Sequence, residues 1–133
     1  MCKPADGQTG EFPTGFLQTR DLAVGSDERI YIAGDKLVAT FDSNGNRLAE
    51  IHVNRPPRSV VEQSDGRLVV ALKDQIVWFS LDGEEQKTSP SLGRETALTK
   101  LAISETGVIY AADGGTRSIF RTVLLSAGFM WGR

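Results

Sequence analysis

The sequence predicts an all-β chain built from three similar four-stranded units, and two observations carry this prediction. Sliding the sequence by 38 positions places residues 26–45 on residues 64–83 without a gap and with six identities, where unrelated segments of average composition share about one. A third copy follows after 41 residues, because 66–71 aligns with 107–112. No stretch keeps a 3.6-residue apolar period over a dozen residues, so almost no helix is expected.

Each copy reads as short strands separated by turn residues. Asn44-Gly45 and Asp82-Gly83 stand at matching places, and these dipeptides supply the positive φ that a tight hairpin requires. The recurring turns therefore predict recurring antiparallel hairpins. In the first copy, β-branched and aromatic runs between turn residues predict strands over residues 21–24, 29–33, 36–41 and 47–53.

The second strand of every copy is apolar on both faces, over residues 30–33, 68–71 and 108–111. A sheet with two apolar faces must be covered on both sides, so the units are predicted to stack as the blades of a β-propeller. The sequence divides into a tail or the end of a preceding blade at 1–15, blade 1 at 16–57, blade 2 at 58–94, and blade 3 with a C-terminal tail at 95–133. Residues 124–133 are apolar, lack acids and lack the turn pattern, which favours a truncated chain; the alternative is a strand or tail packed on the exposed face of the last blade.

Three blades do not close a ring, since propellers have about four to eight blades. Two apolar faces would be left in water, each larger than a soluble monomer usually exposes. The chain is therefore expected to be a partial propeller or half of an oligomeric one. Either it is a segment of a longer chain with further blades, or two copies pair as a homo-oligomer.

A family resemblance supports this architecture. The stretch from Gly107 to Gly115 resembles the core of the NHL repeat and of the related six-bladed gluconolactonase-like propellers, with Asp113 and Arg117 at the Asp and Arg positions of that family. The opening stretch 7–13 resembles the run between NHL blades. The residues themselves predict a hairpin in which Arg117 pairs with Asp113.

The resemblance also implies where a ligand would lie. Gluconolactonase-like enzymes hold a divalent ion in the central channel, with ligands at the starts of the inner strands. The matching places here are Thr19-Arg20-Asp21, Pro57-Arg58-Ser59 and Leu98-Thr99-Lys100. Only Asp21 is a candidate ligand, so calcium enters only with an alternative function, that of a calcium-dependent lactonase or esterase-type hydrolase. Otherwise no cofactor and no metal site are predicted.

Composition and motifs exclude several other classes. Fifteen basic against 17 acidic residues give a net charge of -2, which argues against nucleic acid as the partner. The lone Cys2 forms no disulfide within the chain. The single histidine, His52, lies in an alternating stretch and is expected to face solvent on an outer strand, while Asp42 to Asn46 lacks the second half of a calcium loop and is expected to be a turn. No catalytic residue is predicted.

The sequence does not fix the compartment. No window reaches the roughly 20 apolar residues of a membrane span, and Met1 to Pro4 has no secretory signal pattern. As written, the chain is expected to stay in the cytoplasm. If Cys2 begins a mature bacterial lipoprotein, the chain is instead exported or lipid-anchored.

The function predicted from these observations is a non-catalytic scaffold or binding module for a protein, a peptide or a small polar ligand. Equivalent starts of first strands converge at the axis of a propeller. We therefore expect Arg20, Asp21, Arg58 and Lys100 to lie at the channel mouth and to contact the ligand. The two alternatives are part of a hydrolase propeller and a self-assembling half-propeller.

Overall fold

The computed structural model describes residues 13–80, 82–125 and 128–132. Within these ranges the chain forms three four-stranded antiparallel sheets and one short 3₁₀ turn, Ser26–Glu28, which confirms the predicted fold class. Sheet 1 contains β1 (Thr19–Val24), β2 (Ile30–Gly34), β3 (Leu37–Phe41) and β4 (Arg47–His52). Sheet 2 contains β5 (Ser59–Glu62), β6 (Leu68–Ala71), β7 (Ile76–Phe79) and β8 (Glu85–Thr88). Sheet 3 contains β9 (Leu98–Ile103), β10 (Ile109–Asp113), β11 (Ser118–Leu125) and β12 (Gly128–Gly132).

The strand registers reproduce the sequence repeat. Asp21 pairs with Ala33 in sheet 1, Ser59 with Ala71 in sheet 2, and Lys100 with Ala112 in sheet 3. These three pairs are separated by the same 38 and 41 positions that align the copies. Asp21, Ser59 and Lys100 are therefore structurally equivalent residues.

The sheets pack face to face across two junctions. The first junction, between sheets 1 and 2, buries Tyr31, Ala33 and Val38 against residues that include Val70 and Phe79. The second junction, between sheets 2 and 3, buries a separate set. It contains Val69, Trp78, Leu101, Ile109 and Phe120. Sheet 2 thus has a buried apolar face on each side, as the apolar second strand predicts.

The first strands of the three sheets lie side by side. β5 contacts both β1 and β9, whereas β4, β8 and β12 each form the far edge of their own sheet. This is the arrangement of propeller blades, in which first strands line the axis and fourth strands lie outside. The three sheets are accordingly blades 1, 2 and 3, while the exact boundaries predicted for the blades and for the tail at 1–15 stay predictions.

The two outward faces of the stack expose apolar side chains. Leu22 is 56% exposed and Val24 is 67% exposed on blade 1, and Ile119 is 54% exposed on blade 3. The outward face of blade 1 is partly covered by Phe16, which packs against Ile32 and Phe41. These faces are the ones that the three-blade count leaves open.

The C-terminal stretch differs from its expected place. Gly128–Gly132 does not lie on the face of blade 3 but pairs edge to edge with β11, from Leu125 opposite Gly128 to Arg121 opposite Gly132. The unsatisfied backbone groups of β11 bind a fourth strand even without the usual turn residues. In the described ranges, no helix has the length and apolar character needed to cross a membrane.

Candidate functional site

One side chain from each blade meets at the axis, in what we call the axial cluster: Asp21, Ser59 and Lys100. Ser59 Oγ donates a hydrogen bond to Asp21 Oδ2 at 2.7 Å, and Lys100 Nζ donates to Asp21 Oδ1 at 2.7 Å. The equivalent positions of the repeat thus form one hydrogen-bonded group. A single carboxylate joins blade 1 to both of the other blades.

Backbone amides tighten the axial cluster. The amide of Val60 donates to Asp21 Oδ2 at 3.1 Å, and the amide of Leu101 donates to Ser59 Oγ at 2.9 Å. Ser59 is fully buried, so its hydroxyl is satisfied as both donor and acceptor inside the protein. Its enclosed position excludes a role as an accessible nucleophile and makes it a linker between blades.

The carboxylate and the ammonium of the axial cluster differ in exposure. The side chain of Asp21 is 13% exposed and that of Lys100 is 55% exposed. Burial by itself raises the pKa of Asp21, but the hydrogen bonds from Lys100, Ser59 and the Val60 amide outweigh burial and hold that pKa below its usual 3.8. The carboxylate is therefore ionised at neutral pH, while the ammonium faces water.

Two of the four residues predicted at the channel mouth, Asp21 and Lys100, are in direct contact. Arg20 stands in a β-bulge between Thr19 and Asp21, and its guanidinium donates to Gln18 Oε1 at 2.8 Å. Arg58 binds Ala71 through its backbone amide, and its guanidinium has no hydrogen-bond or ion-pair partner among the described residues. The two arginines thus flank the axial cluster in sequence without bonding to it.

Ser59 belongs to the cluster but is absent from the predicted site. The signal that identifies it is the repeat offset, because Ser59 is in register with Asp21 and Lys100. Residue type alone does not point to Ser59, because its equivalents Asp21 and Lys100 are charged and serine is not. Its importance comes from being the donor that reaches across to blade 1.

The same end of the blades carries three aspartates that are already occupied. Asp35 accepts the amides of Leu17 and Gln18, and Asp74 accepts from Arg55 at 2.9 Å and from Ser91 at 2.6 Å. Asp113 accepts the amides of Ala97, Gly115 and Thr116 as well as the Thr116 hydroxyl. These carboxylates fix the loops where second strands turn into third strands.

Asp113 corrects one expectation from the sequence. Its oxygens bind the backbone and Thr116 in place of Arg117, which is exposed and has a left-handed φ of 57°. Burial acts to raise the pKa of Asp113, but its several amide and hydroxyl donors lower that pKa to about 2. Asp113 is therefore a structural anchor of the loop before β9.

The histidine and the calcium-loop candidate of the sequence both lie away from the axial cluster. Among the described residues, no group of three or more His, Cys, Asp or Glu side chains is close enough to hold a metal ion. His52 lies on β4 with its side chain 70% exposed and 3.2 Å from Glu50, on the outer strand where the sequence predicts it. Asp42 accepts the amides of Asn44 and Asn46 and closes a turn.

Comparisons with known proteins show the fold. No protein-family model matches the chain, and no curated protein sequence matches it. A solved structure of streptogramin B lyase is similar, with a TM-score of 0.77, 18% identity, and coverage of 95% of this chain and 44% of the lyase chain. Virginiamycin B lyase from Staphylococcus aureus has a TM-score of 0.69 and 14% identity, covering 86% of this chain and 40% of its own.

A third similar structure is the extracellular domain of a hybrid two-component system from B. thetaiotaomicron. Its TM-score is 0.61 at 14% identity, and the match covers 94% of this chain and 19% of that chain. The chain therefore spans less than half the length of these three neighbours. Identities this low establish a shared β-propeller architecture and leave function to the residues of this chain.

Proposed function

We propose that the chain is a non-catalytic binding module of a β-propeller, and that its axial mouth takes an anionic group of a protein, a peptide or a small polar ligand. Arg20 and Arg58, which precede Asp21 and Ser59 in the sequence, are proposed to form this mouth together with Lys100 and Asp21. The convergence of three blades on one cluster is the observation that carries this proposal, since one ligand there can contact equivalent strands at once.

The charge balance at the mouth favours an anion. Arg20, Arg58 and Lys100 supply three cations beside Asp21, whose carboxylate already accepts three hydrogen bonds. The guanidinium of Arg58 offers a planar pair of donors that suits a carboxylate or a phosphate. Lys100 adds an exposed ammonium with donors to spare.

The neighbouring acids already bind donors of the protein itself. The carboxylates of Asp35, Asp74 and Asp113 bind amides, hydroxyls or Arg55. They stabilise loops and leave the cations at the axis as the groups available to a ligand. The resemblance of residues 107–115 to the NHL repeat fits a propeller that binds through the end where these loops lie.

The proposal is tested by titrating the chain with citrate and with an acidic peptide in a calorimeter. Arg58→Gln is expected to weaken binding roughly tenfold, because a charge-assisted hydrogen bond contributes about 1.5 kcal/mol. Arg67→Gln is the matched control, since Arg67 pairs with Asp65 in the turn between β5 and β6, at the other end of β5 from Arg58. Equal affinity of the Arg58→Gln chain and the unmodified chain contradicts the proposal, as does the lack of any saturable binding.

An enzyme is the second candidate, favoured by the similarity to two lyases. One solved neighbour is a catalytically inactive histidine-to-alanine variant of virginiamycin B lyase with quinupristin. In this chain His52 lies on the outer strand of blade 1, away from the axial cluster. Turnover of quinupristin by the chain alone is the observation that favours the lyase reading over the binding module.

A calcium-dependent hydrolase makes a different prediction. It requires that calcium raise the melting temperature of the chain and that Asp21→Ala abolish the rise, because a ligand that binds only the folded state stabilises it. A melting temperature that stays constant across a calcium titration contradicts this hypothesis.

Sedimentation tests the self-assembling half-propeller, since a chain that stays monomeric at micromolar concentration does not pair with a second copy.

A further inference from the structure

The first junction contains a cleft, whereas Trp78 occupies the equivalent place in the second junction. It lies between blades 1 and 2, remote from the axial cluster, and has a volume of about 230 Å³. Its walls include Tyr31, Thr40 and Ala49 from blade 1 and Leu68 from blade 2. A space of this size suits a compound of one or two rings, since a cavity of about 150 Å³ already binds benzene.

The repeat explains why the cleft is present. Thr40 pairs with Tyr31 in blade 1, and Trp78 pairs with Val69 at the equivalent place in blade 2. Trp78 is only 1% exposed and packs with Ile109 in the second junction. Ile109 is in turn the equivalent of Leu68, which forms the wall of the cleft. The wall residue is thus apolar in both junctions, but Thr40 stands in the first junction where the indole of Trp78 covers the wall in the second.

The charged residues of the cleft determine which charge a bound aromatic compound should carry. Glu50, Asp82 and Arg29 are the charged residues that line the cleft. Glu50 is paired with Arg47 at 2.9 Å, whereas Asp82 has no hydrogen-bond or ion-pair partner among the described residues. Arg29 stands beside Tyr31, whose hydroxyl donates to Glu62 at 2.5 Å. The free carboxylate of Asp82 complements a cation.

We propose that this cleft binds a small aromatic amine, with its ring in the space that Trp78 fills in the second junction and its ammonium beside Asp82. The ring lies over Tyr31 and Leu68, which are both packed in the first junction, and Thr40 leaves the room for it. The site is separate from the axial mouth and independent of the function proposed there. Its specificity comes from ring size and from the sign of one charge.

Tryptamine is the probe that tests the proposal, with indole-3-acetate as the anionic compound of the same ring. Calorimetric titration of the chain is expected to give saturable binding of tryptamine and binding of indole-3-acetate that is roughly two- to fivefold weaker, the worth of one exposed charge pair. Asp82→Asn is expected to bring the two affinities together. Absence of saturable tryptamine binding overturns the proposal.

Filling variants locate the site. Thr40→Trp is expected to abolish tryptamine binding and to raise the melting temperature of the free chain, because the new indole fills the cleft. Ala49→Leu, on the neighbouring strand β4, fills the same space by a smaller change and guards against misfolding of the first variant. Thr88→Trp is the control, because it makes the same threonine-to-tryptophan change on the exposed edge strand β8, outside the cleft. Tryptamine binding that survives in folded Thr40→Trp and Ala49→Leu chains places the compound elsewhere and overturns the proposal.

Discussion

Asp21 on β1 and Lys100 on β9 form an ion pair of 2.7 Å although they are 79 positions apart in the chain. Ser59 of the intervening blade donates to the other oxygen of the same carboxylate. The axial cluster therefore couples the first blade to the third as well as to the second. One side chain at the centre thus links all three blades by hydrogen bonds.

Replacing Asp21 by Asn tests this coupling. The amide cannot accept all three hydrogen bonds or offset the charge of Lys100, so the free energy of unfolding at pH 7 is expected to fall by about 1 to 3 kcal/mol. Denaturant titration measures the change. Asp65→Asn, on an exposed turn, is the control with the same chemical replacement. Equal losses in the two variants would mean that the axial cluster has no special role.

Asp113 makes the stability of the chain sensitive to acid. Its pKa is about 2 in the folded chain and 3.8 in a free carboxyl, so its contribution is complete above pH 3.8 and is lost as the pH falls toward 2. Asp113→Asn is expected to lower stability at pH 7 by roughly 1 to 3 kcal/mol and to flatten its decline between pH 4 and pH 2. Denaturation curves across this range supply the measurement, and an unchanged slope would refute the assignment.

Tyr31 gives a signal at the other end of the pH scale. Burial and the neighbouring Glu62 carboxylate raise its pKa from 10.0 to about 12, so its stabilisation is present below pH 10 and is lost as the pH rises toward 12. Ultraviolet titration of a Tyr110→Phe chain isolates Tyr31, because the sequence has two tyrosines. Adding Glu62→Gln is expected to shift the transition to lower pH. A transition that does not move would show that Glu62 has no influence.

Glu28 holds a conformation that glycine holds in the other two blades. Its φ is 58°, while the equivalent Gly66 and Gly107 have φ values of 91° and 88°. Glu28→Gly is expected to raise the free energy of unfolding by about 0.5 to 1 kcal/mol, because relief of the left-handed strain exceeds the entropy lost by glycine. Gly66→Ala is expected to lower it by about 1 kcal/mol or more. Thermal denaturation of both variants measures the pair, and a destabilising Glu28→Gly would contradict the argument.

The sequence alone predicts the architecture because strand and turn preferences are local. The glycines at 45 and 83 have φ values of 89° and 86° in matching hairpins, as the repeated dipeptides predict. The apolar second strands of blades 1 and 2 are buried on both faces, and period-two patterns disappear from a sequence when both faces are covered. In blade 3 only one face of β10 is buried, and Tyr110 on the other face is 38% exposed. Each local pattern recurs in more than one copy, so every copy supports the same strand and turn prediction.

The candidate site is only partly predictable in this way. Asp21 and Lys100 could be placed at the axis from their position in the repeat, but their mutual contact depends on how far blades 1 and 3 turn about that axis. Ser59 gained its role from two neighbours that are close only in space. The cleft at Thr40 likewise depends on the volumes of Tyr31 and Leu68 in two different blades.

Local residue preferences are enough to predict three β-sheets with the same strand order and with equivalent residues at equivalent positions, because backbone conformation follows from neighbouring residues. The packing of the blades sets which equivalent residues touch, which carboxylates are already hydrogen-bonded, and where a small side chain leaves a space. Those outcomes depend on distances between blades, and no short stretch of sequence specifies such distances.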